Sequence, residues 1–149
     1  MKLDYDRLKK DIIFEESQLD IVIEKIKKIK KEEIGETDKA ALATYLMNFY
    51  NGLENIMKRC AKEYYKSMPK GDDWHKWLLQ KSCAPNNGKI PMFSRNIVDR
   101  LYNYLIFRHL FVHGYEFKLE WAKMKSLADN AEPLWLEIKA QLAEFVNKI

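Results

Sequence analysis

The chain has 149 residues, 47% apolar and 32% charged, with a formal charge of +4 and a pI near 8.9. A chain of this length hides roughly 68–70% of its unfolded surface on folding, so one core can stand without a disulfide or metal staple, and the expectation is a single helical domain over residues 1–149. With only five glycines and four prolines, no apolar run of signal-peptide or membrane-span length and two cysteines (Cys60 and Cys83) in no metal or disulfide pattern, composition points to long helices, a cytoplasmic, reducing compartment and no membrane partner.

Residues 3–34 read as one long helix, with Leu8, Ile12, Leu19, Ile23 and Ile26 on its apolar stripe. Glu15 and Glu16 interrupt that stripe, and a lysine-rich end (Lys25, Lys27, Lys28, Lys30, Lys31) precedes Gly35, the expected stop. Lysines there complement the negative pole of the helix dipole; a phosphate-attracting rim is the functional alternative. Thr37 is the expected N-cap of a second helix over about 38–67. Its stripe of Leu42, Leu46, Phe49, Leu53, Ile56 and Cys60 has alternating steps of four and three, the pattern of a bundle seam. Gly52 within this helix marks a close backbone approach.

Asp72 or Asp73 is the expected cap of a short third helix, Trp74 to about Ser82, in which His75 is read as structural. A loop rich in Pro, Asn and Gly follows, from Cys83 to Phe93. Ser94 caps a fourth helix over about 95–112, with Ile97, Leu101, Tyr104 and Leu105 as its stripe. Extended, that stripe arrives at Arg108, within about 20° of Leu101 and Ile97 in projection. A guanidinium on the buried side must be paired or line a cavity, because an unpaired buried charge is costly. Gly114 ends the pattern. A fifth helical region runs from about Glu120 to the end, with Leu127, Leu134, Ile138, Leu142 and Phe145 as its apolar positions and a kink or break expected near Asn130–Glu132 because of Pro133. The pattern as a whole predicts an all-α antiparallel bundle of about five helices.

Arg108 and His113 suit metal-independent RNA cleavage. Histidine titrates near neutrality and can take or give a proton, and arginine grips a phosphate while staying charged. In a continuing helix, five positions turn the chain by about 500°, leaving the two side chains about 140° apart. Either the helix ends and swings His113 round, or a twofold partner places a second Arg108 and His113 opposite the first. The structural alternatives are an ion pair of Arg108 with Glu54 and a backbone-bonded His113 at the helix end. His109 and His113, four apart, share a face, but no third metal ligand is evident; neither metal nor cofactor is expected.

The order Arg108–four residues–His113–any–Tyr115 resembles the signature of HEPN-domain ribonuclease toxins of the HepT type. Three longer stretches are similar to the same family: Phe49 to Lys58, Asp72 to Leu79, and Ser94 to Trp121. The three stretches lie between residues 49 and 121 of the 149. The resemblance implies an all-helical HEPN-like fold, commonly dimeric, and a toxin endoribonuclease neutralised by a minimal nucleotidyltransferase antitoxin. It implies Arg108 and His113 as the catalytic pair, His109 as the supporting polar residue after the arginine, and Tyr115 as the acceptor of AMP from the partner. It also implies an alternative, since some members serve only as non-catalytic binding subunits of a nucleotidyltransferase. The lysine-rich first helix and the tryptophan-rich third depart from the family pattern.

Overall fold

The computed structural model describes residues 4–29, 31–85, 88–114 and 120–149. Five α-helices are present among them: α1 (Asp6–Lys28), α2 (Glu36–Cys60), α3 (Trp74–Lys81), α4 (Arg95–Val112) and α5 (Trp121–Lys148). The described residues contain no strand, and no helix is long and apolar enough to cross a membrane. The helix α2 is central and packs against the other four.

The apolar stripes read from the sequence are the core. All five stripe residues of α1 and all six of α2 are buried, as are Ile97, Leu101, Tyr104 and Leu105 on α4 and Leu134, Ile138, Leu142 and Phe145 on α5, while Leu127 is half-buried against the core. Burial holds the Cys60 thiol up at about 12, so it is a core group and not a nucleophile. The lysine-rich end of α1 is a solvated surface, where Lys27 bridges Glu24 and Glu132 of α5.

Several boundaries differ from expectation. The first helix ends at Lys28, not at Gly35, and Gly35 instead precedes α2 as its N-cap, leaving Thr37 inside the helix. The second helix ends at Cys60 and passes into a π-helical turn, Ala61–Tyr65, that closes on Lys66 in the left-handed region (φ 56°). Tyr64 and Tyr65 in that turn pin the loop before α4: the Tyr65 hydroxyl donates to the Ile90 carbonyl at 2.7 Å, and the Ile90 N–H donates to the Tyr64 oxygen at 3.1 Å. Asp73 occupies the cap position of α3 without a side-chain hydrogen bond. Ser94 caps α4 as expected, its Oγ accepting from the Ile97 N–H at 3.3 Å. The break expected near Asn130–Glu132 is absent, and α5 continues through Pro133. Pro133 and Asp129, whose carbonyl loses its usual donor, are both exposed, so water can satisfy that oxygen. Ala131, Leu134 and Trp135 flanking the proline are buried and hold the helix to the core.

Helix α1 is fastened to its neighbours by two local features. The first is close packing at Gly52 of α2, where a Cβ would stand 2.5 Å from Cδ2 and 3.0 Å from Cγ of Leu19. The second is Asp20, which accepts from the Trp135 indole N–H at 2.8 Å and from the Lys139 ammonium at 3.0 Å. Desolvation alone would raise the Asp20 pKa, but those two donors outweigh it and hold the carboxyl below its ordinary value.

Two outcomes follow from these contacts. Gly52→Ala gains about 1 kcal/mol of helix propensity but forces the fully buried Leu19 to move, which costs about 1–3 kcal/mol; chemical denaturation should show a net loss of stability. Asp20→Asn should lower stability at pH 7 by less than about 1 kcal/mol, because the pair is half exposed. A depressed pKa stabilises above the unfolded value and ceases to as pH falls through the folded one. The difference between the two proteins should therefore begin to shrink below about pH 4 and disappear only as pH falls past the lower folded-state value.

Candidate active site on the α2–α4 face

Arg108 lies where the helical projection of α4 puts it, on the stripe of Ile97, Leu101 and Tyr104, one turn from the helix end. It is half-buried, and its Nε–H donates to Oδ1 of Asn51 on α2 at 2.6 Å. Among the described residues it forms no ion pair, so the alternative pairing with Glu54 is not what the structure holds. Glu54, only 3% exposed, instead meets His75 Nδ1 of α3 at 2.6 Å and stands 4.0 Å from Lys58 Nζ. His75 is thus a structural residue that anchors the start of α3 to α2. Between the two polar groups lies Tyr50, whose buried hydroxyl has no hydrogen-bond partner among the described residues. Burial, and next the Glu54 charge, push its pKa well up, with the Arg108 guanidinium opposing.

His113 terminates the same helix. It is the C-cap of α4 (φ −87°), and Gly114 after it takes the left-handed conformation (φ 74°) that a glycine adopts without a Cβ clash. Its Nδ1 lies 2.8 Å from the His109 carbonyl oxygen, and the two imidazole centroids are 4.2 Å apart. A carbonyl only accepts, so Nδ1 carries the proton and Nε2 is the basic nitrogen of the neutral ring. Both histidines are exposed.

Within one chain, Arg108 and His113 therefore do not converge through a swing of the helix end. Arg108 reaches inward to α2, and His113 stays with His109 on the outer face, about 140° round the axis. The described residues offer no cluster of three groups fit to hold a metal ion. Tyr115 lies outside the described residues, as does the stretch 116–119. A separate apolar groove of about 400 Å³ lies on another side of α4, against α5, lined by Ile106, Phe107, Leu110, Met124 and Leu127 among others; it includes neither Arg108 nor His113.

Asn51 and Tyr50 were not singled out from the sequence. A signal for their neighbourhood exists there. Ala43, Tyr50, Glu54 and Met57 of α2, continued by Ala61 of the π turn, form a second stripe beside the apolar seam, and all five are buried. A carboxylate on a buried stripe demands a partner, and the surrounding polar residues are where partners gather.

A family model described as "HepT-like protein" matches residues 41–149, which takes in nearly all of α2 and everything after it. No curated protein and no solved structure matches.

The buried Glu54–His75 contact generates one prediction. His75→Ala leaves a buried carboxylate without its hydrogen bond, at a cost of about 1.5–3 kcal/mol; thermal unfolding should show that loss, and an unchanged melting temperature would remove His75 from the structural role given to it.

Proposed function

Because the chain belongs to the HepT-like family, we propose that it is a metal-independent endoribonuclease toxin, one HepT-like domain that acts as a twofold dimer. The observation that supports this reading most directly is Arg108: a permanent cation on the inward stripe of α4, neutralised by no carboxylate among the described residues and oriented through Nε by Asn51. With Nε so engaged, the Nη groups are the donors suited to a phosphate. The divergence of Arg108 and His113 within one chain is the reason for the dimer. A twofold arrangement sets each pair opposite its copy and brings two arginines and two histidines to one cleft.

The chemistry needs no other component. Nε2 of one His113 takes the proton of a ribose 2′-hydroxyl as that oxygen bonds to the adjacent phosphorus. The bond from phosphorus to the 5′-oxygen breaks, and the other His113, protonated, returns a proton to that leaving oxygen. Arg108 meets the charge that grows on the non-bridging oxygens. The products are a 2′,3′-cyclic phosphate and a 5′-hydroxyl. His109, its ring tilted against that of His113 and its carbonyl accepting from Nδ1, holds the ring in the required tautomer.

In this reading the natural partner is a minimal nucleotidyltransferase antitoxin in the same cytoplasm. Tyr115, two positions past His113, is the proposed acceptor of AMP, its phenol oxygen joining the α-phosphorus of ATP as pyrophosphate leaves. A second reading draws on the same divergence: a chain whose Arg108 and His113 never meet would be a non-catalytic binding subunit for that nucleotidyltransferase.

RNA cleavage in EDTA tests the choice. His113→Ala should slow cleavage by about 10²–10⁴-fold, the usual range for a general acid–base group, and Arg108→Ala should abolish measurable activity. Asn51→Ala removes a hydrogen bond of about 1.4 kcal/mol from the arginine, which corresponds to about a tenfold fall in kcat, with KM little changed. If growth inhibition and RNA integrity are the same for wild type, Arg108→Ala and His113→Ala, while the nucleotidyltransferase still co-purifies, the binding-subunit reading replaces the nuclease.

A further inference from the structure

The positive charge is unevenly distributed. Residues 58–95 carry nine lysines and arginines against three acidic residues, whereas the whole chain carries 26 against 22. This segment spans the end of α2, the π turn, α3 and the start of α4, and four of its nine cations (Lys58, Lys76, Lys81 and Lys89) lie against aromatic rings. Lys58 Nζ sits 4.5 Å from the centroid of Trp74, Lys81 Nζ 5.8 Å from that of Trp77, and Lys76 Nζ 5.9 Å from that of Tyr102. Tyr102 is a large aromatic ring on α4 that remains 39% exposed. It forms one wall of a groove of about 310 Å³ between α3 and α4, with Lys76 and Arg95 among its lining. Asp99 also lines the groove, 3.6 Å from Arg95.

The groove is aligned with the candidate site. On an ideal helix, Arg95, Asp99, Tyr102, Ile106, His109 and His113 fall within a sector about 80° wide, with Tyr102 about 16 Å along the axis from His113. A strand whose reacting phosphate lies at His113 can therefore continue along this face of α4 into the groove. A ring attended by a lysine fits a nucleotide unit twice over: the ring face takes a base, and the ammonium takes the phosphate beside it. A double helix would keep its bases stacked on each other, with none to lay on Tyr102.

We propose that the α3–α4 groove is a binding site for single-stranded RNA flanking the cleavage point, with one base stacked on Tyr102 and the adjoining phosphates held by Lys76 and Arg95. The proposal rests on the nuclease reading for its direction along α4, but the groove's affinity for a single strand can be measured without cleavage.

The test uses the full chain carrying His113→Ala, so that RNA stays intact, and a fluorescein-labelled oligouridylate read by anisotropy. Adding Tyr102→Ala should weaken binding by about 5- to 100-fold, the range for loss of one stacked base, and Tyr102→Phe should restore it. Lys76→Gln should lower the salt dependence of log affinity by about one ion. A labelled duplex of the same length should bind more weakly and be insensitive to Tyr102. In the chain with His113 intact, Tyr102→Ala should raise KM and leave kcat alone. Unchanged oligouridylate affinity in Tyr102→Ala overturns the groove assignment and leaves the nuclease reading standing. Tyr102-dependent binding in a protein that never cuts RNA supports the groove and removes the nuclease. Unaltered RNA binding together with loss of nucleotidyltransferase co-purification would make the groove a protein contact, and the proposal would fall.

Discussion

A guanidinium set on the inward face of a helix constrains everything around it. Arg108 continues the stripe of Ile97, Leu101 and Tyr104, where a side chain of its reach would ordinarily be apolar. A charge there must meet polar atoms or remain in contact with water. The fold answers with Asn51, whose amide oxygen takes Nε at 2.6 Å without cancelling the charge. A carboxylate in the same place would have made an ordinary internal ion pair. An amide orients the cation without neutralising it, and in the proposed reading that leaves its charge for a phosphate. That difference separates a structural arginine from one suited to chemistry.

The same stretch of α2 shows how the charge is kept. Glu54, one turn beyond Asn51, is the nearby carboxylate that could have captured Arg108. It is engaged by His75 instead, at 2.6 Å, with Lys58 at 4.0 Å. The short helix α3 thus has two consequences. It engages the buried acid through His75, and it brings Lys76 to Tyr102 on α4. Tyr50, which feels both charges, is buried with no hydrogen-bond partner for its hydroxyl among the described residues, at the cost of an unsatisfied polar atom. The packing of α1 at Gly52 and the Asp20 contacts to α5 hold α2 in register for this arrangement.

Much of the fold was legible before any coordinates. The α2 seam, the α4 stripe and the Ser94 cap are local patterns, set by the 3.6-residue repeat and by side chains that satisfy the first turn, and all three occur where the sequence places them. Boundaries were less legible. Gly35 reads equally well as the end of one helix or the start of the next, and it falls at the start because α1 has already ended at Lys28, with Ile29 in an extended conformation. The π turn at Ala61–Tyr65 has no local signal of its own; it follows from Tyr64 and Tyr65 reaching the loop at Ile90. Pro133 reads as a break, yet burial on either side of it kept α5 whole.

The sequence by itself determined the helical class, the core stripes, the family and the anomaly of Arg108, because each is encoded in spacing along one helix or in a short motif. Tertiary structure alone decided who answers that arginine. Asn51 lies 57 positions away in the chain, and nothing in local periodicity says that it, and not Glu54, faces Nε. Tertiary structure likewise directed His75 to Glu54 and Tyr102 to the groove beside α3. Such pairings depend on how three helices cross, and crossing geometry is set by the summed packing of many apolar side chains, not by the polar residues that the crossing happens to bring together.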